Sequence, residues 1–342
     1  MTALLTWGAL TQAEASAMTV KAVSFSELSG WETDDHAAAF AAYRKLCKKL
    51  RANDLTKSAD WKDLCAITKY VSNPKTIFEI YFQPVLIEDG KPTLFTGYYE
   101  PEIVASRTRV GNFKYPLYKR PPELKEGVPW KTCTEIENGA LDGQGLELAW
   151  LSDPVENFFL HVQGSGRLKL NEGGSMRVGF AGKNHQTYRS VGKELIRRGV
   201  LNQSNASAGS IKSWVRNNPS EGRLLLQHNP SFVFFRELTN LSATDGRIGA
   251  IGISVSNKRT LVVDPKFQPL GAPVWINKLG AKPLHCLMIV QDVGSAIKSA
   301  KRADIFYGTG AKEGRITGTT KDSGHMITLL PHASALHLLP EG

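Results

Sequence analysis

Three aspartates in the last third of the chain each stand in a short motif. Asp264 lies in Val262-Val263-Asp264-Pro265, Asp292 in Ile289-Val290-Gln291-Asp292-Val293-Gly294, and Asp304 in Arg302-Ala303-Asp304-Ile305-Phe306-Tyr307-Gly308. Each adjoins an apolar, β-branched or aromatic run of the kind that forms a buried strand. A carboxyl at a strand end, beside glycine-rich turns, is one that a rigid scaffold can offer to a substrate for proton transfer. Taken alone, Asp264 reads as a turn opener, because Asp-Pro commonly begins a turn. Asp292 precedes Gly294 and Ser295, so it fits a helix N-cap as well as active-site support. Asp304 has neither signature. Ile305, Phe306 and Tyr307 give it a partly dry setting, and desolvation raises a carboxyl's pKa toward the range that suits a general acid.

Other chemistries fit the chain less well. His161 falls in the run 158–162, which reads as a strand, where a histidine is more often a core or surface residue than a catalyst. There is no H-E-x-x-H, and His185 and His325 have no ligand-spaced partners, which argues against a metal site; no cofactor motif is present. The stretch Gly308-Thr309-Gly310-Ala311-Lys312-Glu313-Gly314 lacks the Gly-Lys-Ser/Thr of a phosphate loop, and Gly252-Ile253-Ser254-Val255-Ser256 fails the nucleophile-elbow pattern at its last position. Thr96-Gly97-Tyr98-Tyr99-Glu100-Pro101 sets two tyrosines and a hydroxyl in a turn-forming context. That combination suits hairpin packing, and it also suits sugar recognition, where flat faces meet rings and polar groups meet hydroxyls.

The 342 residues suffice for two domains, and 42% hydrophobic with 22% charged residues is an ordinary globular balance. Forty-two Lys and Arg against 32 Asp and Glu leave a net charge of +10, which favours an anionic partner. The basic residues are scattered and no arginine-rich arm or ribonucleoprotein-type aromatic motif occurs, so nucleic acid ranks low. The apolar run Ala3-Leu4-Leu5-Thr6-Trp7-Gly8-Ala9-Leu10, followed by Ala13-Glu14-Ala15-Ser16-Ala17, resembles the later part of a secretory signal, and residues 1–17 are expected to be its remnant. No stretch approaches the length needed to span a bilayer. Cys47, Cys65, Cys133 and Cys286 form no C-x-x-C pair; Cys47 and Cys65, on adjacent helices, suit either a disulfide or buried thiols.

The elements that must position these groups follow from periodicity. Helices are expected over 34–51, where Asp34 or Asp35 can cap, and from Asp60 through Trp61, Leu64, Ile67 and Tyr70. Strands are expected at 78–87, 93–102 and 157–163, with an extended linker over 106–135. A helix over 187–198 stops at Gly199, and helical turns follow within 210–228. Strands return at 231–236, 249–255, 260–263, 273–276, 285–290, 304–307 and 326–330, a spacing that suggests a small closed β-barrel rather than a parallel α/β sheet.

Together, Phe95-Thr96-Gly97-Tyr98-Tyr99-Glu100-Pro101, His161-Val162-Gln163-Gly164-Ser165-Gly166, Asn229-Pro230-Ser231-Phe232-Val233-Phe234-Phe235 and the three aspartate motifs resemble the membrane-bound lytic murein transglycosylase A family. The likeness runs in order from about residue 25 to residue 331. The runs 249–276 and 291–310 look like that family's 3D domain, named for three aspartates. The resemblance implies a mainly β fold with some α: a discontinuous double-psi β-barrel domain (18–102 and 243–342) and an inserted β-rich domain (103–242), with glycan in the groove between them. By motif position Asp304 corresponds to the single catalytic acid and base and Asp292 to its catalytic support. Thr96, Tyr98, Tyr99, Gln163 and Asp264 are implied to bind substrate. The implied activity cleaves the β-1,4 bond between N-acetylmuramic acid and N-acetylglucosamine with formation of 1,6-anhydro ends. The alternatives are a muramidase using both Asp292 and Asp304, and a non-catalytic wall-binding module. The implied partner is peptidoglycan, for a monomer in the periplasm or at the outer-membrane periphery. Some family members are lipoproteins, whereas no lipidation cysteine stands near the cleavage pattern here.

Overall fold

The computed structural model describes residues 18–47, 58–239, 241, 245–294 and 296–339. The expected signal remnant (1–17) and the end of the first expected helix lie outside them. Three strands come first: β1 (Thr19–Ala22), β2 (Phe82–Glu88) and β3 (Leu94–Glu100). Six follow in the middle of the chain: β4 (Glu102–Ser106), β5 (Tyr115–Tyr118), β6 (Glu147–Leu151), β7 (Ser165–Leu170), β8 (Ser175–Lys183) and β9 (Val233–Glu237). The last six are β10 (Thr260–Val263), β11 (Pro273–Lys278), β12 (Leu284–Val293), β13 (Arg302–Thr309), β14 (Lys321–Asp322) and β15 (Gly324–Pro331).

These strands form two sheets. The first, in the order β1-β2-β15-β11-β12-β10-β13-β3-β14, joins the two ends of the described chain; the second, β5-β6-β4-β7-β8-β9, is built from the middle. The first sheet is mixed. Most neighbours run antiparallel, but β10 is parallel to β12 and β13 is parallel to β3. Its central strands are covered on both faces, which is why 286–292 is buried throughout and reads as one apolar run rather than an alternation. One face packs with Phe95, Leu261, Met288 and Ile305. Against the other, the N-terminal helices set Tyr43, Trp61 and Phe78 beside Trp275, Leu287 and Ile289. Each such aromatic removed from water contributes on the order of 2 kcal/mol. Asp34 locks this helical layer down: both terminal guanidinium nitrogens of Arg259 donate to it at 3.0 Å, and so does the Leu287 amide at 2.9 Å.

Most sequence expectations hold in kind, and four do not. The stretch 78–81 is helical, within the helix Pro74–Tyr81: the Asn73 side chain accepts from the Lys75 amide and Pro74 opens the first turn. Residues 157–163 are likewise helical, not a strand, within Pro154–Gln163. Asp153 accepts from the Val155 amide, Pro154 begins the helix, and Gly164 closes it at φ 71°. In both cases a cap and proline outweigh aromatic β-propensity. The run 249–255 is an irregular turn held by one bridge between Ile248 and Ser254. Asp292 lies inside β12 and caps no helix.

Among the other helices, His36–Leu46 is capped by Asp35, whose side chain accepts from the Ala38 amide. The helix Ser58–Ile67 follows, and Tyr70 lies beyond it, 87% exposed. Cys47 and Cys65 are joined by a disulfide, and Cys133 and Cys286 are buried free thiols. The expected linker 106–135 contributes β5 to the second sheet. No helix among the described residues is long and apolar enough to cross a membrane.

Candidate active site

Register brings the acids together. Across neighbouring strands, Asp304 of β13 faces Thr96 of β3 on one side and Val262 of β10 on the other, and Val262 in turn faces Asp292 of β12. Asp304 and Asp292 therefore stand two strands apart, about 10 Å at the backbone by ordinary strand spacing. The β10–β12 register shifts between Leu261 and Val262. Such irregularities re-aim side chains beside functional sites.

Asp304 is partly accessible, yet protein surrounds it on most sides. Desolvation pushes its carboxyl above the ordinary aspartate range, against the Thr96 hydrogen bond and the charges of Arg302 and Arg247, while nearby Asp292 reinforces the upward shift. The Thr96 hydroxyl donates to Asp304 Oδ1 at 2.7 Å, and Arg302 donates to the same hydroxyl oxygen at 2.9 Å. An arginine can only donate, so the single hydroxyl proton of Thr96 must point at Asp304. Oδ1 is thereby an acceptor, and the acidic proton of a neutral Asp304 belongs on Oδ2. Arg302 is held by the carbonyls of Leu94 and Ala303. It sits two residues before Asp304, on the same face of β13.

Asp292 is placed differently. It is 4% exposed, and its Oδ1 accepts the amides of Ala250 and Val293, each at 3.0 Å. Its Oδ2 lies 3.5 Å from the Arg247 guanidinium. Burial raises its pKa, opposed first by Arg247 and then by those two amides. The Tyr98 hydroxyl is buried beside it without closing a hydrogen bond of good geometry, and burial holds that phenol well above its usual pKa. Arg247 is the junction of the site. It also donates to the Gln163 carbonyl at 2.8 Å and lies 5.5 Å from the centre of the Tyr98 ring. It thus ties the turn 245–255, the helix Pro154–Gln163 of the second unit and Asp292 together.

Asp304, Asp292, Thr96 and Tyr98 thus share one site, with Gln163 joined to it through its backbone. The Gln163 side chain accepts and donates no hydrogen bond among the described residues. Two expected residues are taken elsewhere. Tyr99 points to the opposite face of β3, where its ring packs so closely on Gly314 that a Cβ there would come within 2.8 Å of it. Asp264 is 3% exposed and spends its carboxylate on the amides of Lys266 at 3.2 Å and Ser299 at 3.3 Å. There it clamps the turn after β10. Sequence reasoning passed over both arginines. Arg302 was legible from its two-residue spacing to Asp304, whereas nothing local marks Arg247. Glu100, from the tyrosine motif, was also missed. It is fully buried and accepts from Arg177 of β8 at 2.8 and 3.0 Å and from the Thr309 hydroxyl at 2.9 Å, which joins the two sheets.

Comparison with known proteins shows the family and the fold. Residues 94–236 match the family model of the MltA specific insert domain, and residues 259–330 match that of the 3D domain. The insert match begins at β3, a strand that pairs within the first sheet. The chain is 34% identical over 271 residues to membrane-bound lytic murein transglycosylase A of Vibrio cholerae, covering 75% of this chain and 71% of that protein. Among solved structures, the membrane-bound lytic murein transglycosylase from Agrobacterium tumefaciens superposes with a TM-score of 0.85 at 30% identity, over 94% of this chain and 99% of that one. MltA from Neisseria gonorrhoeae gives 0.80 at 30% identity, over 93% and 95%. Escherichia coli MltA with bound chitohexaose gives 0.72 at 28% identity, over 87% and 90%. The first unit is thus a double-psi β-barrel with a 3D domain, the second is the inserted β-rich domain, and the chain belongs to the membrane-bound lytic murein transglycosylase A family.

Proposed function

We propose that the protein is a lytic transglycosylase of peptidoglycan in which Asp304 serves alone as acid and then base. The observation that carries this is the unequal state of the two carboxyls. Asp304 is partly accessible, held toward its neutral form and aimed by Thr96, while Asp292 is sealed and committed to two amides and Arg247. A glycosidase that hydrolyses needs a second carboxylate free to attack the sugar or to activate water. Asp292 is free for neither, which disfavours the muramidase reading.

The glycan lies in the groove between a barrel unit spanning 18–102 and 243–342 and an insert spanning 103–242, with Gln163 contacting the sugar. Asp304 Oδ2 gives its proton to the bridging oxygen as the bond from C1 of N-acetylmuramic acid breaks, and N-acetylglucosamine leaves as an alcohol. The C6 hydroxyl of the same muramic residue then attacks C1, and its proton passes to the Asp304 carboxylate. A 1,6-anhydro ring results and the enzyme regains its starting state. Asp292 and Arg247 position the groove wall. The setting is the periplasm, at the periphery of the outer membrane; the relatives are named membrane-bound. The excess of 42 basic over 32 acidic residues suits an anionic wall polymer.

Mass spectrometry of muropeptides released from purified sacculi tests this. Anhydro ends, one water lighter than reducing ends, should dominate, and D304N should abolish clearing while sacculus binding survives. A majority of reducing ends, or a D304N protein that still clears sacculi, would refute it.

A further inference from the structure

A partly enclosed cavity of about 480 Å³ lies within the second unit, away from the acids. It is bounded by β5, β6 and the helices Pro154–Gln163, Ala208–Asn217 and Pro219–Gln227, and neither Asp304, Thr96, Asp292 nor Arg247 lines it. Its volume is in the range of small-ligand pockets, about 300–1,000 Å³. Buried Val155, Phe158, Val215, Leu226 and Phe232 form the apolar part of its lining. His161 adds one hydrogen-bond donor. Its Nδ1 accepts the Val233 amide at 3.2 Å, and burial lowers its pKa to about 4, so the neutral ring carries its proton on Nε2. No described residue accepts that proton, and Nε2 is not among the sealed polar atoms.

The rim of the cavity is cationic by one charge, with Arg109, Lys114, Arg216 and Arg223 against Glu137, Asp142 and Asp153. Exposed Arg109, Lys114 and Arg223 contribute to it, and none of the three forms an ion pair with a carboxylate among the described residues. Two of those acids are already engaged. Asp153 pairs with Arg216 at 2.7 Å, and Glu137 accepts from Gln227 at 2.9 Å. Arg109 lies over the Trp150 ring at 5.5 Å, which places its guanidinium without consuming its donors. Apolar walls, one neutral N–H donor and three cations outside any ion pair, of which Arg223 also donates to Asn138 at 3.4 Å, match a ligand with a carboxylate and an apolar body. A continuous polysaccharide must cross an open groove, whereas a pendant branch can enter a partly enclosed cavity from its end.

We infer that this cavity binds the acidic peptide branch of the wall polymer, its carboxylate toward Arg109, Lys114 and Arg223 and its apolar side chains against Phe158 and Phe232. This rests on the peptidoglycan reading above and extends it to a second subsite. Docked there, the peptide would hold a glycan strand on the enzyme while the sugar backbone lies across the barrel. Peptide-bearing strands would therefore be preferred over bare ones.

Titration calorimetry with a synthetic four-residue stem peptide bearing free carboxylates tests the site without catalysis. Saturable one-to-one binding is expected, weakened at least tenfold by amidation of the carboxylates and by the double change R109Q with R223Q. D304N should leave the affinity unchanged. Both arginines are exposed, so the double variant should fold, and its unfolding curve checks this. The same variant should keep its rate on peptide-free glycan and lose its preference for intact sacculi. Absent binding, equal affinity in the folded double variant, or displacement of the peptide by chitotetraose would overturn the proposal. Anhydro products formed without any peptide binding would sink this inference alone; peptide binding without anhydro products would sink the catalytic one alone.

Discussion

In the proposed reaction the carboxyl of Asp304 works only if its proton sits on the oxygen that faces the sugar, and two neighbouring residues decide that. Arg302 saturates the Thr96 oxygen, Thr96 donates to Oδ1, and Oδ2 is left to carry the acid. The same hydrogen bond and the Arg302 charge stabilise the ionised form, so each lowers a pKa that burial has raised. The general acid must start protonated, so activity is lost as pH rises through that pKa. Removing either stabiliser raises the pKa further and moves the falling limb of the pH–rate profile to higher pH. T96V and R302M should both shift that limb upward. Each should also lower kcat by about tenfold to a hundredfold through misaiming, since small displacements of a reacting group are costly. T96S should restore both properties. A limb that stays in place in T96V and R302M would show that these residues only pack.

At the scale of elements, the site depends on β3 lying tight against β13. Gly97 makes the approach possible. A Cβ there would stand 2.8 and 2.9 Å from carbons of the Tyr307 ring and 3.0 Å from Thr317 Cγ2. G97A should therefore destabilise the protein by about 1–3 kcal/mol, the usual cost of overpacking, measured by urea unfolding. Activity should fall more than stability does, because Thr96 adjoins the distorted residue. Unchanged stability would mean that Tyr307 can swing aside. The helix Pro154–Gln163 is the other decisive element. Its start and stop were written in Asp153-Pro154 and Gly164, yet its Phe-Phe-Leu-His-Val core reads as a strand. Caps act on the backbone groups that a helix leaves unpaired, and they decided the conformation that apolar patterning left ambiguous.

For the whole molecule, the junction of the two units is polar and buried. Glu100 leaves the end of β3, receives two hydrogen bonds from Arg177 of the second sheet and one from Thr309 of the first. E100Q keeps the shape and removes a countercharge from a buried arginine, and breaking such a pair typically costs about 3–5 kcal/mol. The expected outcome is a loss of that order, with the two units no longer unfolding in one coincident transition. A single transition at unchanged midpoint would show that apolar packing alone joins them. Arg247 makes a second tie, from the turn 245–255 to the Gln163 carbonyl and Asp292, so the groove wall and the junction share residues.

Local pattern was enough to reveal the central strands of the first sheet, though not its edge strands β1 and β14. Runs such as 260–263 and 285–290 are buried on both faces, and such burial leaves a continuous apolar signature. It also singled out Asp304, because a charged residue inside such a run has no cap or turn role. What pattern could not carry was partnership. Thr96 and Asp304 are 208 residues apart, Glu100 and Arg177 are 77 apart, and Arg247 meets Gln163 across 84. A strand's own residues do not specify its neighbour or register, so only the folded sheet distinguished the partly accessible Asp304 from the sealed Asp292, and only it showed the Asp264 carboxylate engaged by the Lys266 and Ser299 amides.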